Sequence, residues 1–353
     1  MRVLQVRNVH EALPHALKLL DEEGEPRNSR NGPVLIGPSV TTIYERPIER
    51  VMFWPTRDCN PFYHLYEALW MLGGRRDSAP LTRYAKNAAD YADEDGNWHG
   101  AYGYRWRKQY GFDQLQVIAD RLRKNPDDRR SVLTMWSPGL DLNPTDAHKD
   151  LPCNTMATFQ RGLDGELNLT VFCRSNDIIW GAYGANAVHF SMLLEYMALW
   201  IGCAVGTYTQ ISVNWHAYVD KLDQVKTIRP DYMDFVDNPY IDGRAYPAQM
   251  FHCEIEEADR RIAALLFSAD TGFKHARQFG DDEPFFNAAF SILIAHHYWR
   301  TLPPPDRFTV ALDRLKQDNQ RNDWIVAARE WVERRYKIWQ AKEAVQSGDL
   351  SHP

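Results

Sequence analysis

The sequence predicts a protein of mixed α and β structure, and three observations carry that prediction. Residues 167–173, Leu-Asn-Leu-Thr-Val-Phe-Cys, alternate with the period of a strand that buries one face. Residues 61–72 and 187–201 are apolar on nearly every side, as in helices enclosed by other elements. The chain has 353 residues, 44% of them hydrophobic, enough for a substantial core in one large or two ordinary domains.

Taken in order, residues 11–20 read as a short amphipathic helix, 22–32 as a polar loop and 34–44 as strand. Asn60-Pro61 is a helix start and Gly73-Gly74 its stop. Glu67 lies inside that apolar helix, so it is expected to be buried. A buried carboxylate is costly unless paired or protonated, which marks either a structural ion pair or a functional acid. Residues 97–106 form an aromatic, glycine-punctuated loop. Residues 113–124 follow as an amphipathic helix with Leu115, Ile118, Ala119 and Leu122 on one face. Arg129-Arg130, beside two aspartates, lead into a strand at 132–136; such a pair is ordinarily a solvated turn that adds little stability.

Pro152-Cys153 presents a thiol ahead of the strand at 167–173, and Arg174-Ser175 leave the end of that strand. A guanidinium fork with a hydroxyl suits a phosphate. A nucleophile and an anion clamp this close in sequence point to a covalent enzyme acting on a phosphorylated substrate. After the helix at 187–201, closed by Gly202, a strand at 207–213 delivers His216 and Tyr218. From about residue 230 a Pro-, Asp- and Tyr-rich linker runs to 247. Helical patterns then fill 254–268, 284–301, 308–316 and 323–345, which divides the chain into 1–245 and 246–353.

The net charge of −6 argues against a general nucleic-acid binder. The five cysteines lack Cys-x-x-Cys spacing, so no zinc site or disulfide framework is expected. No run of eighteen apolar residues exists and the first residues lack a signal-peptide core, so a cytoplasmic protein without membrane contact is expected.

Pro152-Cys153, Arg174-Ser175-Asn176-Asp177, Arg129-Arg130 and His216-Ala217-Tyr218 resemble, in residue type and in order, the motifs of thymidylate synthase and its relatives, the deoxypyrimidine nucleotide hydroxymethylases. The resemblance runs from about residue 30 to about residue 226. It implies an α+β fold, with a large, bent, mostly antiparallel sheet packed on that of a dimer partner and the C-terminal helices as an addition. It implies that Cys153 adds to C6 of a deoxypyrimidine monophosphate as a thiolate favoured by nearby arginines, with 5,10-methylenetetrahydrofolate as cofactor. By the same resemblance Glu67 organises water and protons, Tyr102 lines the cavity and Asp177 contacts the folate. Arg30, Arg174 and Ser175 serve the phosphate, and Arg129 and Arg130 reach the phosphate of the neighbouring subunit, which requires a homodimer with shared sites. Asn186 reads the base, and His216 and Tyr218 bind the sugar 3′-hydroxyl.

The chain departs from the family pattern at four places. Asn186 stands nine rather than eight residues after Asp177, which implies a one-residue insertion within 181–184. Ala88 occupies the place of a tryptophan near the folate, a role Trp98 can take over. Asn154 follows the thiol where the synthase has His, and residues 349–353 do not resemble the family's closing tail. The last three alter water access and favour hydroxymethylation over methylation, while an amide at 186 suits uracil. The expected activity is therefore dUMP hydroxymethylation. The alternatives are dTMP formation, dCMP hydroxymethylation or methylation, and a catalytically silent nucleotide- or RNA-binding homologue. Retention of Cys153 and Glu67 argues against the last.

Overall fold

A computed structural model of the chain describes all residues except 143–147, 229–237, 249–252, 275–278, 281–282, 317–320 and 348–353. The strands are β1 (Arg2–Val6), β2 (Glu25–Ser29), β3 (Gly32–Ile36), β4 (Val40–Tyr44), β5 (Val132–Thr134), β6 (Asn154–Arg161), β7 (Leu167–Asp177) and β8 (Val205–Tyr218). The α-helices up to β8 are α1 (Val9–Glu23), α2 (Pro61–Leu72), α3 (Tyr102–Arg107), α4 (Gln114–Lys124), α5 (Pro138–Asp141) and α6 (Asn186–Ile201). Those after it are α7 (Val219–Val225), α8 (Ile255–Asp270), α9 (Pro284–Thr301), α10 (Asp306–Lys316) and α11 (Asp323–Ser347).

The strands form one sheet in the order β1-β4-β8-β7-β6-β5, with the β2–β3 hairpin attached to the end of β8. Only β1–β4 and β7–β8 pair in parallel, so the sheet is mostly antiparallel and the α+β class expected from the sequence is the one observed. Alternation sorts its two faces. Leu133, Ala157, Val171 and Gln210 point into the helical layer and are fully buried. On the other face Met156 lies opposite Phe172 and Phe172 opposite Ile211; Met156 and Phe172 are both exposed.

The helix signals act as expected. Asn60 caps α2 by accepting from the Tyr63 N–H, and Asp113 caps α4. Gly202 ends α6 at φ 79°, a conformation that glycine takes without strain. Of the helices after residue 254, α8, α9 and α11 pack onto α2, and α10 packs on α9 and α11. The Phe62 ring meets Trp331 edge-on at 5.2 Å, and Asp58 is held by Arg334 and Arg335 at 3.0 and 2.7 Å.

Two expectations are corrected. Residues 22–32 are not a polar loop: most of them form the β2–β3 hairpin, whose two-residue connection is Arg30-Asn31. Four polar side chains and Pro26 hid the strand, because β2 is exposed throughout and carries no alternation. The linker expected at 230–247 lies partly outside the described residues, and 238–240 and Ala245 within it are packed into the core. Tyr240 is buried there, accepting from the Val51 N–H at 3.1 Å and donating to Asp323 at 2.9 Å. The tail at 349–353 lies outside the described residues.

Candidate active site

The site is assembled between α2, α6, the loop before α3 and the turn that enters β6. α2 delivers Glu67, buried as expected. Tyr63, one turn earlier, donates to its Oε1 at 2.7 Å, and Nε2 of His189 on α6 stands 2.9 Å from its Oε2. α3 is pressed so close to α2 that a β-carbon at Gly103 would lie 1.9 Å from the carbonyl oxygen of Met71, so only glycine fits. That approach brings Tyr102, the first residue of α3, beside Glu67. The Tyr102 hydroxyl accepts from the N–H groups of both Cys153 and Asn154 at 3.0 Å and so pins the turn that carries the thiol.

Arg174 braces the same turn from β7. Its backbone N–H donates to the Cys153 carbonyl, and its guanidinium donates to the carbonyls of Pro152 (3.0 Å) and Leu151 (3.3 Å). Its charge draws the Cys153 thiol towards ionisation, but burial outweighs it and Asp150 adds to burial, so the thiol is raised above its ordinary value. Arg174 thus favours the thiolate, as the sequence leads one to expect, while desolvation of the anion opposes it in the free protein. Alkylation of Cys153 by iodoacetamide, followed by peptide mapping, should accelerate about tenfold per pH unit from pH 7 to 9 without levelling off. A plateau below pH 8 would show a stabilised thiolate instead.

Behind the thiol runs a chain of buried amides. Asn154 Nδ2 donates to Asn186 Oδ1 (3.1 Å), Asn186 Nδ2 to Asn176 Oδ1 (3.1 Å), and Asn176 Nδ2 to Ser212 (2.9 Å). Asn186 starts α6, and the residues before it, 178–185, are wound as a π-type helix kinked at Tyr183 and Gly184. A π-type turn is how a helical stretch absorbs an added residue. Asn186, Glu67, Tyr102, Trp98, Asp150 and His189 line one cavity of about 130 Å³. Ala88 is buried beside it, and its carbonyl accepts from the Trp98 indole at 2.8 Å. Asp150 accepts from the Gly100 N–H at 3.1 Å; its burial, with Glu67 and Asp93 nearby, pushes its carboxyl up to about 6.

Asp177 ends β7. Its Oδ1 accepts from the N–H groups of Ile179 and Trp180, while its buried Oδ2 has no partner among the described residues. Burial raises its carboxyl, against the pull of the Trp180 and Ile179 N–H donors, His216 and Arg57. The parallel register of β7 and β8 sets Ser175 opposite Asn214 and Asp177 opposite His216. The Tyr218 ring meets His216 edge-on at 5.6 Å, and its hydroxyl lies 3.5 Å from Asn31, next to Arg30 at the exposed hairpin tip. Arg129 and Arg130 stay apart from this group. Both are exposed on the turn before β5, with Arg130 3.9 Å from Asp128.

Tyr63, Asp150 and His189 received no role in the sequence analysis. His189 carried the signal that exposed Glu67: a titratable side chain inside a helix that is apolar nearly all round.

A profile described as thymidylate synthase matches residues 22–231. The chain is 44% identical, over 98% of its length and 97% of the relative's, to a protein named deoxyuridylate hydroxymethyltransferase from Pseudomonas phage M6. It is 37% identical to a protein of the same name from Bacillus phage SP01, over 50% of this chain and 48% of that one. Among solved structures, thymidylate synthase from T4 phage superposes with a TM-score of 0.52 at 22% identity, covering 61% of this chain and 79% of the other. That likeness shows a thymidylate synthase-like fold.

Proposed function

Because this chain belongs to the thymidylate synthase family, and so to the enzymes that transfer one-carbon groups, we propose that it hydroxymethylates C5 of dUMP. The name of the phage M6 relative, alike over nearly the full chain, supports the choice of base and product. The observation that carries the hydroxymethyl branch is the lining of the cavity. Glu67, Asp150, Asn186 and His189 surround a volume with room for several waters, each of which needs two or more polar partners. Water held there is the group that yields hydroxymethyl rather than methyl.

C5 of uracil is a weak nucleophile, and addition of the Cys153 sulfur to C6 places negative charge along C5 and O4. Tyr102 and Arg174 fix the attacking turn. Glu67 Oε2 and His189 Nε2, 2.9 Å apart and otherwise unpartnered, are the pair that passes a proton to or from the ring. Asn186 keeps one donor and one acceptor for uracil after its bonds to Asn176 and Asn154, which matches O4 and N3–H. Methylenetetrahydrofolate, when bound, supplies the one-carbon unit. The unpartnered Oδ2 of Asp177 and the half-exposed Trp180 ring beside it suit a planar, hydrogen-bond-donating group.

Arg30, Arg174 and Ser175 meet the nucleotide phosphate, and His216 and Tyr218 the sugar. Arg129 and Arg130 serve the site of a second subunit, and the exposed Met156–Phe172 row on the open sheet face supports such a homodimer.

Mass spectrometry of the product formed from dUMP, and separately from dCMP, with methylenetetrahydrofolate tests the proposal. A hydroxymethyl adduct of dUMP is expected; dTMP would overturn the branch and a dCMP product the base. Asn186→Asp should lower use of dUMP and raise that of dCMP. A protonated carboxyl donates to cytosine N3, whereas the ionised form repels both uracil O4 and the Asn176 oxygen that Asn186 now meets. A mismatched buried polar edge costs about 1–3 kcal/mol, so relative kcat/KM should shift by roughly tenfold or more. An unchanged ratio would move base reading to another residue.

A further inference from the structure

Outside the residues used so far, one cluster has the composition of a metal centre. Asp93, His99 and His148 each offer a ligand atom, and these atoms lie within 4.8 Å of one another. The two imidazoles stack with centroids 3.6 Å apart, and His148 Nδ1 meets Asp93 Oδ2 at 2.5 Å. His99 is already oriented as ligating histidines are. Its Nε2 meets the buried carboxylate of Asp141 at 2.9 Å, which fixes the proton on that nitrogen and leaves Nδ1 as a lone-pair donor. Asp141 is fixed in turn by two bonds from the buried Arg105 guanidinium, at 2.7 and 2.8 Å. Asp93 is held by a closed turn: its N–H donates to the Asn97 carbonyl and its carbonyl accepts from Gly96.

We propose that Asp93, His99 and His148 bind one divalent transition-metal ion, which staples the loop leading into α3 to the segment leading into Cys153. Two nitrogens and one carboxylate oxygen, with water completing the shell, suit zinc, cobalt or nickel and not magnesium, which prefers oxygen throughout. Tetrahedral ligands on zinc stand about 3.3 Å apart, so the side chains must close by about 1.5 Å at most, and the two stacked rings must tilt so that both lone pairs point at one ion. The ion takes the place of the direct contact between His148 Nδ1 and Asp93 Oδ2.

The position gives the ion a consequence for the known site. His99 precedes Gly100, whose N–H donates to Asp150, and His148 lies two residues before Asp150, so both anchored segments form the cavity wall. Five cysteines make adventitious thiol binding the main competitor, and cobalt separates the two, since thiolate ligands give an intense near-ultraviolet charge-transfer band.

Full-length protein stripped with a chelator and then freed of it should be titrated with zinc by calorimetry and with cobalt by visible absorption. One ion per chain is expected, with a tetrahedral cobalt spectrum, no thiolate band and a raised melting temperature. His99→Ala and His148→Ala should each weaken binding by about a hundredfold, and Asp141→Asn by about 10–100-fold. Because Asp141 also holds Arg105, circular dichroism must show that variant folded. His148→Gln, at a half-buried position, serves as the folded control that should still lose the ion. Zinc affinity weaker than about 100 µM, a thiolate band, or unchanged binding in His148→Gln and His99→Ala overturns the proposal.

Discussion

Replacing Cys153 by serine is expected to abolish release of tritium from C5-labelled dUMP while nucleotide binding stays measurable. Serine keeps the size and the turn, because the contacts that hold residue 153 are made by its backbone: its N–H donates to Tyr102 and its carbonyl accepts from Arg174. The change therefore isolates nucleophilicity. An alcohol ionises far less readily than a thiol, and the burial that already raises the Cys153 thiol penalises an alkoxide more. A loss on the order of 10⁴-fold or more in kcat/KM is expected, as for other removed nucleophiles. Normal turnover by the serine variant would sink the covalent mechanism.

The second large effect concerns Arg129 and Arg130. Their exposure, with one carboxylate 3.9 Å from Arg130, means that changing both to alanine should leave the melting temperature of the chain nearly unchanged. Activity should nonetheless collapse if, as proposed, the pair serves the phosphate of a neighbouring subunit, which then loses two cations. Mixing this variant with Cys153→Ala, itself inactive, should restore about a quarter of the wild-type sites after random exchange at equal ratio. Half of the dimers are then mixed, and each mixed dimer has one site with an intact thiol facing intact arginines. No recovery despite demonstrated subunit exchange would refute shared sites, and retained activity in the arginine variant alone would make the pair an ordinary surface turn.

Local signals determined much of this protein. Asn60-Pro61 and Gly73, Asp113, and Gly202 bound their helices because caps and stops depend on a few neighbouring residues and not on the rest of the fold. Alternation marked β7, and an acid inside an apolar helix marked Glu67, because burial of charge is costly wherever it occurs. The nearness of Cys153 to Arg174 was likewise legible, since the turn entering β6 and its hairpin partner β7 carry them.

What the tertiary structure decided is pairing between distant segments. β2 shows no alternation because neither of its faces is buried, so only its register with β3 reveals it. Glu67 and His189 are far apart in sequence and meet because α2 and α6 pack in one layer. The balance at Cys153 was beyond the sequence for a related reason. The attraction of Arg174 could be read from its nearness in the chain, but the opposing desolvation depends on everything that packs over the thiol.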